Sequence, residues 1–396
     1  AKATQGREPY RSAYQDAIDY ANRSWEWRTP SGRITCPSAD EPAYLKHGSI
    51  LVYAKTLAYH LTGKEQYALD AKAEVEGLLN VTSFGKPRNS KKPDRQCQLN
   101  LSWTIPGFIR AADLLENYPE WQRSGIKRRF QNWLAEAVYP IISFAAESST
   151  SNWGAAATNC SAYVADYLWD RSDLRLVSHN RLDSKEPTTS RSPVEAYEHA
   201  IQLTLGRMNG TRAQGRGGSS QACDLDPATK SMIRPDGGIP DDLRRGSAGC
   251  GGTRILKNDA SNMYTQTHLQ NVIAQAELLL RRGDRRIYDN VQNDNLITGY
   301  NDPKHVQRSV TLPRGRGSLK QAILFVLDAP SFQRPRSLKA AAEVAYRYYR
   351  HPAMLRAVLP TRPNRGSRAM SFETLTHGFT GGEDPSPPPT VPSPAR

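Results

Sequence analysis

Apolar residues recur every three to four positions along most of this 396-residue chain, the spacing of helices that bury one face. Residues 10–22 set Tyr10, Tyr14, Ala17, Ile18 and Ala21 on one side. Residues 42–62 do the same with Leu45, Tyr53, Leu57, Ala58 and Leu61, and Gly63 supplies a C-terminal stop. The same spacing predicts helices over 65–79, 105–117, 120–146, 152–169, 192–208, 264–282, 316–328 and 336–358. Strand-like alternation is scarce, and "QRSVTLP" at 307–313 is its best example. Helices joined by short turns predict stacked antiparallel pairs, hence an all-α toroid or solenoid of helical hairpins. No fixed repeat period is present, which argues against a consensus repeat array.

Two stretches break the rhythm. Residues 210–262 hold little helical periodicity and much Gly, Asp and Arg; an irregular stretch of that length inside a compact domain is usually functional. The end, "GGEDPSPPPTVPSPAR", has no core-forming residues and reads as a Pro/Ser linker. The expected organisation is one domain over 1–380 and a tail over 381–396 that could tether a carbohydrate-binding module. A monomer is expected.

Hydrophobic residues make up 38%, with 18 Tyr and 7 Trp, enough for a real core. No run of 18 apolar residues exists, so no membrane span is expected. No leader is visible at "AKATQGREPY", and a secreted protein with its leader removed would begin in the same way. The net charge of +14 points to anionic partners, although a generally basic surface is the plain alternative. Cations are dense at Arg207, Arg212, Arg216, Arg234, Arg244, Arg245, Arg254 and Lys257. Neither a recognised nucleic-acid module nor a basic helix appears, which disfavours nucleic acid. The five cysteines form no CxxC pair, so a zinc ribbon or thioredoxin motif is not expected; Cys223 and Cys250 bracket the glycine-rich loop and could staple it. Five N-x-S/T sequons start at Asn22, Asn80, Asn100, Asn159 and Asn209.

Candidate chemistry gathers around "SNMYTQTHLQNVIAQAEL", 261–278. Tyr264 and His268 lie one turn apart on a shared helix side. A tyrosine at a helix start is most often packing. Its phenol, with a free pKa of about 10, moves protons near neutrality only when cations stabilise the phenolate, and Arg254 and Lys257 lie upstream. Asn152, in "SNWGAAATN", is either an N-cap or an amide aimed at a ligand carboxylate; Trp153 is core or a sugar-stacking platform. His199 falls mid-helix near Tyr197, where a lone histidine is usually structural. Asp236, Asp241 and Asp242 in "RPDGGIPDDLRRG" are either turn residues or the carboxylate pair of a glycoside hydrolase. No P-loop, GxSxG, HExxH or Rossmann fingerprint occurs, and no metal or cofactor is expected.

These motifs resemble those of the alginate lyase-like polysaccharide lyases. "LVYAKTLAYHLTGKEQYALDAKAEVEGLL" looks like the family's N-terminal helical hairpin, and "SNWGAAATN" its Asn-containing helix start. "RPDGGIPDDLRRG" followed by "YTQTHLQNVIAQAEL" is similar to the block that precedes the family's catalytic tyrosine and its Ala-Glu-bearing helix. The likeness spans roughly 40–282. It implies an (α/α)n toroid or incomplete barrel, a secreted enzyme without cofactor, and β-elimination at a uronic acid polymer such as alginate or glucuronan. It further implies that Tyr264 transfers protons while Asn152, a histidine and an arginine neutralise the C5 carboxylate. The family often has His directly after that Asn, where this chain has Trp153. His199 is therefore the first choice of histidine and His268 the second. Arg254 is the first choice of arginine, since a guanidinium holds a carboxylate bidentately. Arg245, Arg234, Lys257 and Trp153 would bind the rest of the chain of sugars. Two other readings stay open: a toroid hydrolase using Asp236 or Asp241, and a non-catalytic binder of acidic glycan.

Overall fold

A computed structural model describes residues 2–24, 32–36, 43–85, 95–178, 189–210, 231–244, 259–290, 317–328, 336–366 and 370–379. Helices dominate. They begin with α1 (Tyr10–Ala21), α2 (Ala43–Thr62) and α3 (Glu65–Leu78). Gly63, left-handed at φ +70°, turns α2 into α3, as its lack of a side chain allows. The hairpin is antiparallel: Lys55 pairs with Asp70 at 2.9 Å, and Tyr44 donates to the Glu74 carbonyl. Next come α4 (Arg95–Leu114), α5 (Pro119–Arg123), α6 (Ile126–Trp133), a π-helical turn over Leu134–Val138, α7 (Tyr139–Ser148), α8 (Asn152–Tyr167) and α9 (Pro193–Met208). After these follow α10 (Pro240–Arg244), α11 (Asp259–Arg281), α12 (Leu319–Leu327), α13 (Arg336–Tyr349), α14 (Pro352–Val358) and α15 (Glu373–His377). Among the described residues, strands are confined to two small pairs, β1 (Gly32–Ile34) with β2 (Val81–Phe84), and β3 (Leu176–Ser178) with β4 (Thr189–Arg191).

Two layers emerge from the contacts. In the inner layer α2, α4, α8 and α11 run parallel. Gly107 packs on Ser49 and Arg110 on Tyr53, which aligns α2 with α4. Trp103 packs near Ala156 while Arg110 reaches Tyr163, which aligns α4 with α8. Asn159 bonds Asn271 at 3.2 Å and Asp166 pairs with Arg282, which aligns α8 with α11. Outer helices return antiparallel: Thr204 of α9 reaches Thr158 of α8 and also donates to Gln275 of α11 at 2.7 Å. These buried polar links set the helix register, because each lost partner would leave a desolvated group. The C-terminal segment spans the gap back to the start. Phe372 packs edge-on against Tyr20, Tyr10 donates to the Gly378 carbonyl at 2.9 Å, and Asn364 and Thr374 donate to Glu343 of α13.

The expected helices are present with shifted ends, except that 336–358 is two helices, α13 and α14, parted at Arg350–His351, where Arg350 is left-handed at φ +54°. α4 begins ten residues before the expected 105, because Leu99, Leu101 and Trp103 are buried upstream of Pro106. The expected 120–146 helix is broken at Ser124–Gly125, where Gly125 is left-handed at φ +70°, and again by the π turn. The 307–313 strand candidate and the 381–396 tail lie outside the described residues. No helix among the described residues is long and apolar enough to cross a membrane.

Cys36 and Cys97 form a disulfide, tying β1 to the start of α4. The Cys160 thiol is buried, and Cys223 and Cys250 lie outside the described residues. The bridge closes a 61-residue separation, so replacing both cysteines by serine is expected to cost about 2–4 kcal/mol in urea denaturation. An unchanged unfolding midpoint would count against that role. Of the sequons, Asn100 and Asn159 are fully buried, which closes them to a glycan in the folded chain, whereas Asn22 and Asn80 are exposed.

Candidate active site

The site is built where the start of α8 meets the middle of α11. Ser151 caps α8, its hydroxyl accepting from the Trp153 amide at 3.3 Å. The first turn is pressed hard against the preceding loop. A Cβ at Gly154 would lie 2.0 Å from the Ser149 carbonyl oxygen and 3.1 Å from the Arg207 guanidinium. Buried Arg207 in turn donates to the Ala146 carbonyl, so α7, α8 and α9 share one tight corner. Gly154→Ala is expected to destabilise the protein by about 1–3 kcal/mol and to lower activity by shifting Asn152. A thermal midpoint equal to that of the parent would show that the corner relaxes freely.

The loop before α10 supplies Asp236, and the first turn of α10 supplies Asp241 and Asp242. The loop's turn is set by Gly237, left-handed at φ +96°, where a Cβ would meet the Gln321 carbonyl at 2.4 Å. Arg234 is buried and held bidentately by Asp236, at 3.1 and 2.9 Å, and Asp236 also accepts from the Gly238 amide. This guanidinium is a brace of the turn. Asp241 accepts from the Thr150 hydroxyl at 2.9 Å. Asp242, wholly buried, has two partners: its Oδ1 accepts from the Asn152 backbone amide at 3.1 Å, and its Oδ2 lies 2.7 Å from His268 Nδ1. A single carboxylate therefore joins the N-terminus of α8 to α11, where the helix dipole also favours negative charge.

That arrangement sets which ring nitrogen serves the carboxylate. A carboxylate only accepts, so Nδ1 carries hydrogen and donates to Asp242. Nε2 is buried and has no hydrogen-bond partner among the described residues, and the same holds for Asn152 Oδ1. Both side chains are about 1% exposed. Desolvated polar atoms without partners are rare and mark places where a ligand or a water is due. Tyr264, half-buried, stands one turn before His268 on α11, so a phenol, an imidazole and a carboxamide share one corner. Such a corner can hold an anionic group and move a proton. Among the described residues, no group of three His, Cys, Asp or Glu side chains is placed to hold a metal ion.

His199 lies apart. On α9, it pairs through Nε2 with Glu147 of α7 and touches neither Asp242 nor Asn152. Trp153 is half-buried against Leu99, Trp103 and Ala156. Arg245, Arg254 and Lys257 lie outside the described residues. Asp242 is the residue that spacing missed as an organiser. The Pro-Asp-Asp run marks it as a helix start, but nothing local says that it reaches residues 90 and 26 positions away.

The sequence matches no protein-family model and no curated protein. Its fold does have a solved likeness: an alginate lyase from Bacteroides ovatus, at 15% identity and a TM-score of 0.54, covering 95% of this chain and 96% of that one. The fold is an α/α toroid. Coverage of both chains nearly end to end extends the likeness beyond 40–282, to the later helices and the closing C-terminal segment. In this toroid Asn152 and His268 stand on the inner helices α8 and α11, joined by Asp242 of α10.

Proposed function

We propose that this chain is a polysaccharide lyase that cleaves a uronic-acid polymer by β-elimination. The observation that carries the reading is Asp242 joining Asn152 to His268, with one open atom on each and Tyr264 a turn away. The C5 proton of a uronate becomes acidic when the C5 carboxylate is neutralised, because the developing enolate is then stabilised. Asn152 takes that role, joined by a cation from Arg245, Arg254 or Lys257. Tyr264 removes the C5 proton, the C4–O4 bond breaks, the C4–C5 double bond forms, and the departing O4 takes a proton from the same phenol. His268 replaces His199 as the active-site histidine, since Asp242 ties its ring to the start of α8, where Asn152 stands. The +14 charge supports attraction of a polyanion. The Cys36–Cys97 bridge supports an oxidising, extracellular setting.

The hydrolase reading needs two carboxylates free to work on a sugar. Asp236, Asp241 and Asp242 are instead buried and bonded to Arg234, Thr150, Asn152 and His268. The two enzyme readings separate by product: a lyase yields an unsaturated uronate that absorbs in the ultraviolet, a hydrolase only new reducing ends. Incubation with polymannuronate, polyguluronate and glucuronan is expected to raise absorbance on at least one polymer. Reducing ends without absorbance would establish the hydrolase, and neither signal would leave a binder.

A further inference from the structure

A glycan on any of the N-x-S/T sequons would hang from the asparagine's amide nitrogen, Nδ2. The folded chain treats these nitrogens differently. Asn100 is wholly buried in α4; its Oδ1 accepts from the Gln96 side chain at 3.0 Å, and its Nδ2 is sealed from solvent. Asn159 is wholly buried in α8, and its Nδ2 donates to Asn271 of α11 at 3.2 Å. A sugar on either nitrogen would hold the inner helices apart. The sequon at Asn209 runs outside the described residues. Asn80 is the opposite case. It lies in the turn from α3 to β2, its N–H donating to the Gly77 carbonyl at 3.1 Å and its carbonyl accepting from the Gly32 amide at 2.8 Å. Val81, the middle residue of the sequon, is fully buried, so the alternation of an extended chain turns Asn80 and Thr82 outward, and both are exposed. The backbone is thus anchored while the Asn80 side chain makes no hydrogen bond to a described residue. Asn22, the C-cap of α1, is exposed together with Arg23 and Ser24. Its Oδ1 accepts from the Tyr67 hydroxyl at 2.8 Å, a bond that a substituent on Nδ2 leaves in place. The two positions stand at opposite ends of the outer helix α3, Asn22 against Tyr67 near its start and Asn80 just past its last residue.

We propose that Asn80 carries an N-linked glycan, with Asn22 as a second attachment site; this rests on the oxidising, extracellular setting read from the Cys36–Cys97 bridge. In the transfer, Nδ2 bonds to C1 of an oligosaccharide carried on a lipid diphosphate. The bond from C1 to the diphosphate oxygen breaks, the lipid diphosphate leaves, and the amide gives up one proton. Transfer meets the chain before it has folded, so burial acts as a filter. A chain modified at Asn100 or Asn159 fails to close α4, α8 and α11 on one another, whereas one modified at Asn80 or Asn22 folds with its glycans on the outer layer.

The test is secretion of the full chain, behind a supplied leader, from a eukaryotic host. Peptide mapping first looks for the linked Cys36 and Cys97 peptides, which report the oxidising route. Enzymatic release of N-glycans in heavy-oxygen water then turns each occupied asparagine into a labelled aspartate, which mass spectrometry places in the sequence. Label is expected at Asn80 and Asn22 and at neither Asn100 nor Asn159. Asn80→Gln is expected to remove one glycan's worth of electrophoretic retardation, with circular dichroism and polymer cleavage unchanged. Secreted, disulfide-bonded protein with a bare Asn80 overturns the proposal, and a bare Asn22 overturns the second assignment. Label at Asn100 or Asn159 in folded protein overturns the burial filter. Secreted protein without the Cys36–Cys97 link overturns instead the setting on which the proposal rests.

Discussion

Tyr264→Phe is expected to lower β-elimination by about 10²–10⁴-fold, the range of a positioned proton-transfer group, while substrate still binds. The ring stays, so the half-buried packing at the start of α11 is kept and only the hydroxyl is lost. The measurement is the initial rate of ultraviolet absorbance on the polymer that the parent cleaves, alongside equilibrium binding of the same polymer. Loss of turnover with binding intact within a few-fold identifies a residue that works on the reacting proton. A variant that retains more than a tenth of the parent rate removes Tyr264 from that role, and the proton would have to pass through His268.

The second large effect is expected at Asp242. In Asp242→Asn the amide has one oxygen to offer where the carboxylate has two, and two N–H donors face it, from Asn152 and from His268. In either orientation an NH₂ group meets an N–H. The lost charged hydrogen bond costs about 1.5–3 kcal/mol, and the imidazole is driven toward the other tautomer. Turnover is expected to fall on the order of 10²-fold. Rate loss alone would also follow from a damaged fold, so two further readouts separate the causes. Nitrogen NMR of the His268 ring should show hydrogen moved from Nδ1 to Nε2, and the pH–rate profile should change shape rather than scale uniformly. Uniform scaling with the tautomer unchanged would reduce Asp242 to a structural tie between α8 and α11.

The fold was largely legible because helix formation with one buried face leaves a periodic trace. α1, α2, α3, α8 and α9 fall within a residue or two of the periodic segments. The errors have physical causes. Gly125 and the π turn interrupt a run whose apolar spacing is otherwise continuous, since Ile126, Phe130, Trp133 and Leu134 stay buried across the break. The start of α4 was missed because Gln98, Asn100 and Ser102 are polar residues buried in the interior, where spacing arguments expect solvent. The same blindness applies to the histidines. His199 and His268 both sit mid-helix in mixed surroundings, and no local signal separates one paired with Glu147 from one held by Asp242.

By itself, then, the sequence determined the helical class, the hairpin succession and the short list that includes Asn152, Tyr264 and His268. These are properties of neighbours along the chain, written in periods of three and four residues. The tertiary structure alone decided which cysteine pairs, that Arg234 braces a turn, and that Asp242 binds α8 to α11. Each depends on contacts between residues tens of positions apart. Such contacts arise only when the inner helices align in parallel and the buried polar groups find partners across the layer.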